Sequence, residues 1–154
     1  MRRTTILLTT CGFCLLTLIV NGQTKDSAIE SMGKFYDNNS PLDFLRILKT
    51  DFKRKDQLNI FSMTSSPDNW VKEEHIPELM KLIYSSDSTK SIVNVLSSYL
   101  PVNKFSSIGR EAQNLIRTFR TKGHYPPLSS YGPPDKESGK EIEIWWTKYK
   151  SGKP

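Results

Sequence analysis

Cysteine is nearly missing from this chain. The 154 residues contain two cysteines, Cys11 and Cys14, and both lie in an uncharged stretch near the N-terminus. If that stretch is removed, the remainder has no disulfide, no cysteine nucleophile and no cysteine metal ligand. A chain of this length can still bury enough apolar surface to be stabilised by its own core. The sequence therefore predicts one domain without cysteine.

Histidine is also scarce, and glycine does not occur where catalysis would use it. The chain has two histidines, His75 and His124, and a Ser-His-acid triad would have to use one of them. His75 and Glu78 are one helical turn apart, but two ligands do not make a metal site. Neither a phosphate-binding glycine loop nor a Gly-x-Ser-x-Gly motif is present. We therefore predict no catalytic residue, no cofactor and no metal.

A strong excess of one charge is absent as well. The chain has 22 Lys and Arg against 16 Asp and Glu, a formal net charge of +6. Two of these cations, Arg2 and Arg3, precede the uncharged stretch. The excess is too small and too spread out for a surface that binds a phosphate backbone. Nucleic acid is therefore not expected as a partner.

Residues 1–22 have the organisation of a secretory signal peptide. Arg2 and Arg3 form a positive start, and residues 6–20 are uncharged and mostly apolar. This stretch is shorter than the roughly 20 residues needed to cross a bilayer. Val20 and Gly22 are small enough for cleavage before Gln23. The sequence predicts a periplasmic or secreted protein without stable membrane insertion after cleavage, and an uncleaved membrane anchor is the alternative.

The remaining chain is predicted to be all-α, as a small antiparallel helical bundle or a short helical array. Residues 23–39 form a polar N-terminal tail, residues 40–150 a single helical domain, and residues 151–154 a short tail. Apolar residues recur at helical spacing after Ser40, from residues 72–74, after residues 85–88, and after Ser106 or Ser107. We expect Gly123 to end the last of these helices in a left-handed cap.

Two segments are less clear. Residues 56–69 fit neither a helix nor a strand well enough to decide between them. A Pro- and Gly-rich loop follows Gly123, and the chain then closes on residues 141–150, where Ile142, Trp145, Trp146 and Tyr149 fit one helical face. Residues 141–144 also alternate as a strand would. Helix is the favoured interpretation.

Several surface side chains are candidates for binding. Three arginines fall on one side of the helix after Ser107, opposite Leu115, and could hold an acidic partner. Neighbouring tryptophans on a helix point about 100° apart, so one of them is free to stack on a ligand. The candidate binding surface comprises Arg110, Arg117, Arg120, Tyr125, Tyr131, Trp145 and Trp146. An ordinary solvated face is the alternative for the arginines, and core packing is the alternative for the tryptophans.

Four short motifs point to a group of related proteins. They are Ile76-Pro77-x-Leu79-Met80-x-Leu82-Ile83, Gly109-x-x-Ala112-x-x-Leu115-Ile116, Gly123-x-Tyr125-Pro126 and Ile142-x-x-Trp145-Trp146. Over roughly residues 66–149 the chain resembles small exported helical proteins of Bacteroidota. The motif residues are packing and turn residues, so the resemblance implies a shared fold and no particular chemistry.

These observations favour an exported, non-enzymatic module of the cell envelope. Its expected partner is another envelope protein or an anionic ligand, and its oligomeric state is left open. A polysaccharide-active hydrolase that uses carboxylates alone is one alternative. An immunity-like inhibitor protein is another.

Overall fold

The chain folds as a mixed α/β domain, so the prediction of an all-α helical bundle is wrong. The computed structural model describes residues 34–52 and 59–152. Its elements are α1 (Pro41–Asp51), β1 (Ile60–Met63), a 3-10 turn (Glu73–His75) leading into α2 (Ile76–Met80), β2 (Ser88–Asn94), β3 (Phe105–Ser107), α3 (Ile108–Thr121), β4 (Ser129–Ser130) and α4 (Lys136–Lys150). The predicted signal peptide lies outside the described residues.

Strand β2 is the centre of a four-stranded sheet. Its residues Ile92 and Val93 pair with β1 in parallel and with β4 in antiparallel orientation. Because the same residues pair with both neighbours, β1 and β4 lie at opposite edges of β2. The first part of β2, from Ser88 to Lys90, pairs antiparallel with β3. Strand β1 shows that part of segment 56–69, which the sequence leaves undecided between helix and strand, is extended.

The predicted helix after residues 85–88 is the main error. A helix there would place a set of apolar residues on one buried face: Ile92, Val95, Leu96 and Tyr99. Only Ile92 of these is buried. Strand β2 is buried from its second residue to its end. A central strand that is covered all round has no alternation of apolar and polar residues, and periodicity cannot distinguish it from a buried helix.

The helices with strong local start signals are confirmed. Ser40 caps α1, and its hydroxyl and the Asp43 carboxylate form a reciprocal capping box. Ser107 caps α3 by accepting a hydrogen bond from the backbone N–H of Arg110. Helix α4 confirms the helical interpretation of residues 141–150 and begins earlier, at Lys136. Helix α2 is shorter than expected and ends at Met80.

The end of α3 differs from its prediction in one respect. The residue in the left-handed conformation is Lys122, with φ 51° and ψ 37°, and not Gly123. The backbone N–H of Gly123 still donates to the carbonyl oxygen of Thr118 at 3.0 Å. The helix is therefore capped in the expected way, but with a lysine at the position that usually favours glycine.

Helix α3 is the element around which the core is built. Its residues from Ile108 to Ile116 are buried except for Arg110. It contacts α1, α2, α4 and β3. The segment after it is irregular apart from β4, as predicted, but it returns Tyr125 to the interior. This packing places the C-terminal end of α3 beside α4.

We expect Gly109→Ala to destabilise the protein, although alanine normally favours a helix. A Cβ at residue 109 would lie 2.6 Å from the backbone oxygen and 2.8 Å from the backbone nitrogen of Ser85. The turn at Ser85 would have to move away from α3, and such overpacking costs about 1–3 kcal/mol. Urea denaturation measures this loss. Gly123→Ala is the matched control, since its Cβ would meet only the Thr121 hydroxyl, at 3.1 Å; equal losses in both variants would contradict the prediction.

Candidate functional site

The candidate site is a partly enclosed groove between the C-terminal end of α3, α4 and the loop before the 3-10 turn. Its volume is about 480 Å³, within the size range of small-molecule sites. We call it the aromatic groove and define it by Trp70, Phe119, Arg120, Lys122, Trp145 and Tyr149. Asp68, Asn69 and Thr118 add polar groups to its lining. Its walls therefore combine apolar rings with two cations and one carboxylate.

The rings of the groove are packed against one another. The Trp145 ring centroid lies 6.2 Å from that of Phe119 and 5.4 Å from that of Tyr149. The guanidinium carbon of Arg120 lies 6.0 Å from the Trp145 centroid, at the limit of a cation–π contact. Arg120 is exposed, so its N–H donors remain accessible to a ligand that reaches the groove. A flat ligand on Trp145 would lie close to this charge.

Hydrogen bonds hold two of the rings in place. The indole Nε1–H of Trp70 donates to the backbone oxygen of Asn39 at 2.8 Å. The Tyr149 hydroxyl donates to the Glu73 carboxylate at 2.9 Å, and this bond raises the pKa of Tyr149. The two bonds tie the groove to the residue before the N-cap of α1 and to the 3-10 turn. Its walls are therefore positioned before a ligand arrives.

Two lining residues have left-handed backbone conformations that side chains rarely adopt. They are Asn69, with φ 57°, and Lys122, with φ 51°. Asparagine tolerates this conformation, but a lysine there costs about 1 kcal/mol relative to glycine. Strain of this kind is concentrated at functional sites. Lys122 therefore places a charged side chain at a position where glycine would be the more stable cap.

The three candidate arginines do not form one free stripe. Arg117 donates to the Ser138 hydroxyl at 3.1 Å, near the start of α4. Asp135, whose pKa is lowered chiefly by the backbone N–H of Ser138, is also influenced by the charge of Arg110. Arg120 alone of the three lines the aromatic groove. The arginines therefore lie along the seam between α3 and α4, and Arg120 is the one that lines the groove.

The four aromatic candidates separate as well. Trp145 lines the groove, and Trp146 stacks on Tyr149 beside it, with ring centroids 5.5 Å apart. Tyr131 follows β4 directly and does not line the groove. Tyr125 is fully buried and cannot contribute to a surface. The structure thus brings together Arg120 and Trp145, with Trp146 adjacent.

A buried carboxylate network was missed by the sequence analysis. Glu111 is fully buried and accepts hydrogen bonds from the hydroxyls of Ser106, Ser130 (2.7 Å) and Tyr125 (2.5 Å). Asn114 donates to the Ser130 hydroxyl at 2.8 Å. Burial raises the pKa of Glu111, against the opposing effect of these donors. Burial and the neighbouring Glu111 also raise the pKa of Tyr125.

The sequence did contain a signal for this network. Glu111 lies three residues after Ile108 and four before Leu115, which places it on the apolar side of α3.

The histidines have local roles. The His75 ring accepts a hydrogen bond at Nδ1 from the backbone N–H of Lys72 at 3.0 Å, and burial lowers its pKa. The His124 ring lies 2.9 Å from the backbone oxygen of Ser66. Within residues 34–52 and 59–152, no cluster of three or more His, Cys, Asp or Glu could hold a metal ion. No helix in this part of the chain is long and apolar enough to cross a membrane.

No protein family, curated protein or solved structure matches this chain. The resemblance to exported Bacteroidota proteins stays a prediction.

Proposed function

We propose that this chain is an exported, non-enzymatic binding module that holds an acidic oligosaccharide in the aromatic groove. The observation that carries the proposal is the placement of the Arg120 guanidinium beside the exposed part of Trp145. A sugar ring offers an apolar face that stacks on indole, and a uronic acid adds a carboxylate that arginine can bind with two N–H donors. The leader-like residues 1–22 support export.

The polar residues of the groove favour binding over hydrolysis. A hydrolase that uses two carboxylates needs both beside the scissile bond, roughly 5–10 Å apart. Asp68 is the single carboxylate among the described lining residues, and Glu111 is enclosed in the core. Lys122 adds a second cation to the rim. This lining suits a module that retains an anionic ligand.

The proposal is tested by tryptophan fluorescence titration with oligoglucuronate, and with neutral oligoglucose of equal length for comparison. We expect saturable quenching with the acidic probe and weakening with added salt, since exposed charges are screened. Trp145→Ala and Arg120→Glu should each reduce the affinity at least about tenfold, as truncation of a central anchor does. Arg117→Glu is the matched control on the same helix, because its guanidinium contacts Ser138 and not the groove.

Lys122→Gly separates binding from folding. We expect this variant to raise the free energy of unfolding by roughly 0.5–1 kcal/mol, because glycine adopts the left-handed conformation without strain. The same variant should bind oligoglucuronate more weakly. Failure of the wild-type protein to bind the acidic probe would refute the proposed function, as would equal affinity for the acidic and neutral probes.

A further inference from the structure

The loop between β2 and β3, whose Tyr99 ring lies 6.1 Å from that of Tyr131, exposes several aliphatic side chains. Leu96 is 79% exposed, Leu100 57% and Val102 62%. Leu128 is 64% exposed, and its backbone oxygen accepts a hydrogen bond from Asn94, at the end of β2. Single exposed leucines are ordinary, but a group of them at one end of a domain marks an interaction surface. We call residues 95–104 together with Leu128 the apolar loop.

The apolar loop has a defined shape. The Ser97 hydroxyl accepts a hydrogen bond from the backbone N–H of Tyr99 and donates to its carbonyl oxygen, both at 3.1 Å. The Ser91 hydroxyl, on β2, donates to the backbone oxygen of Lys104 at 2.8 Å. These bonds fix the loop at its middle and at its return to the sheet. The aliphatic side chains are therefore displayed by an ordered backbone.

Tyr99 and Lys104 of the loop form a cluster of amphipathic side chains with Tyr131, which we call the collar. The Lys104 ammonium lies 4.2 Å from the ring centroid of Tyr131 and 5.6 Å from that of Tyr99. The two tyrosine rings are 6.1 Å apart. Tyrosine and lysine favour the boundary between an apolar phase and water, because each has an apolar body and a polar end. This arrangement is typical of a surface that enters the headgroup region of a bilayer.

The strands of the sheet and the apolar loop carry no acidic side chain. Residues 88–110 and 121–134, which supply β2, the loop, β3, β4 and Tyr131, contain no aspartate or glutamate. The cation that lies against the loop is Lys104, beside the rings of Tyr99 and Tyr131. A partner with negative charge would meet no repulsion here. An anionic bilayer supplies that charge together with an apolar interior.

We propose that the apolar loop attaches the protein reversibly to the surface of an anionic phospholipid bilayer. Leu96, Leu100 and Val102 enter the boundary between headgroups and acyl chains, while the Tyr99–Lys104–Tyr131 collar lies at headgroup level. Such attachment is peripheral, and its strength depends on the buried apolar area and on attraction to anionic lipid. The inference is independent of the aromatic groove, which is built from other residues.

Vesicle co-sedimentation tests the proposal. Vesicles of phosphatidylcholine alone, and of phosphatidylcholine mixed with phosphatidylglycerol, are incubated with the wild-type protein as it is purified. We expect binding to the mixed vesicles that weakens with salt. Combining Leu96→Ser, Leu100→Ser and Val102→Ser should reduce the partition coefficient by roughly tenfold or more for each side chain removed. Lys104→Glu should weaken binding to the mixed vesicles and leave any binding to vesicles of phosphatidylcholine alone unchanged.

The controls isolate the loop from the rest of the chain. Every variant is compared with wild-type protein that has the same N-terminus. Any contribution of residues 1–22 to vesicle binding is then common to both proteins. Ile144→Ser on α4 removes an equally exposed aliphatic side chain outside the loop and should leave vesicle binding unchanged. Equal sedimentation of the triple variant and the wild type would overturn the proposal. Absence of wild-type binding would also overturn it. If the wild-type protein is then found to dimerise and the triple variant is monomeric, the loop is an interface between copies of the chain.

Discussion

Replacing Glu111 by alanine is expected to lower the free energy of unfolding by about 3 kcal/mol or more. The carboxylate accepts hydrogen bonds from three hydroxyls in a part of the core that water does not reach. Its removal leaves these donors unsatisfied, and each buried unsatisfied group costs about 1–3 kcal/mol. Urea denaturation of Glu111→Ala measures the loss. The control is Glu141→Ala, which removes an exposed glutamate and should change stability by less than about 0.5 kcal/mol.

The same carboxylate is expected to make stability depend on pH. Burial raises the pKa of Glu111 in the folded state, so folding favours its protonated form. The stabilisation linked to that proton is complete below the unfolded pKa of about 4.3 and is lost as the pH rises through the folded pKa. Glu111→Gln keeps the size of the side chain but does not titrate.

The stability of the wild-type protein minus that of Glu111→Gln should therefore decrease as the pH rises from about 4. Taking this difference cancels the contributions of groups common to both proteins. His75 is one of these groups. Burial lowers its pKa in the folded state, so the stability linked to His75 is lost as the pH falls, whereas that linked to Glu111 is lost as the pH rises. A difference that stays constant between about pH 4 and pH 8 would contradict the prediction.

Glu111 also shows what a single sequence leaves undetermined. Its position between Ile108 and Leu115 places it on the apolar side of α3, which is a local property. Its partners Ser106, Tyr125 and Ser130 come from three other places in the chain. A polar residue on an apolar stripe signals a buried network, but the stripe does not reveal which donors satisfy it. The fold has to be known first.

Local signals explain the elements that were predicted correctly. Ser40 and Ser107 are caps whose hydrogen bonds close within three residues, so they act regardless of what the helix packs against. Strand β2 depends on partners more distant in sequence, since Ile92 pairs with Phe61 and Ser130. Short stretches of apolar residues fit a helix and a strand alike, and only these distant partners select the strand.

Only part of the candidate site could be predicted, because its residues come from distant parts of the chain. Arg120 and Trp145, both candidates for the binding surface, lie on consecutive helices joined by a segment that folds back. Trp70 and Asn69 complete the groove from the loop before the 3-10 turn, about fifty residues earlier than Phe119 in the chain. No local pattern links that loop to α3. The aromatic groove is therefore a product of tertiary structure.

Leu115 and Leu96 both occupy apolar positions of predicted helices, but they lie in different surroundings in the structure. Leu115 on α3 is fully buried, whereas Leu96, at a stripe position of the incorrectly predicted helix, is 79% exposed. Leu115→Ala should lower the free energy of unfolding by roughly 2–5 kcal/mol, because it removes apolar contacts and leaves a cavity in the core. Leu96→Ala makes the same chemical change in solvent and should cost less than about 0.5 kcal/mol. Chemical denaturation of both variants measures the contrast directly. Equal losses would mean that residue 96 is buried as a bundle requires, whereas a large loss confined to residue 115 is expected only of the α/β arrangement.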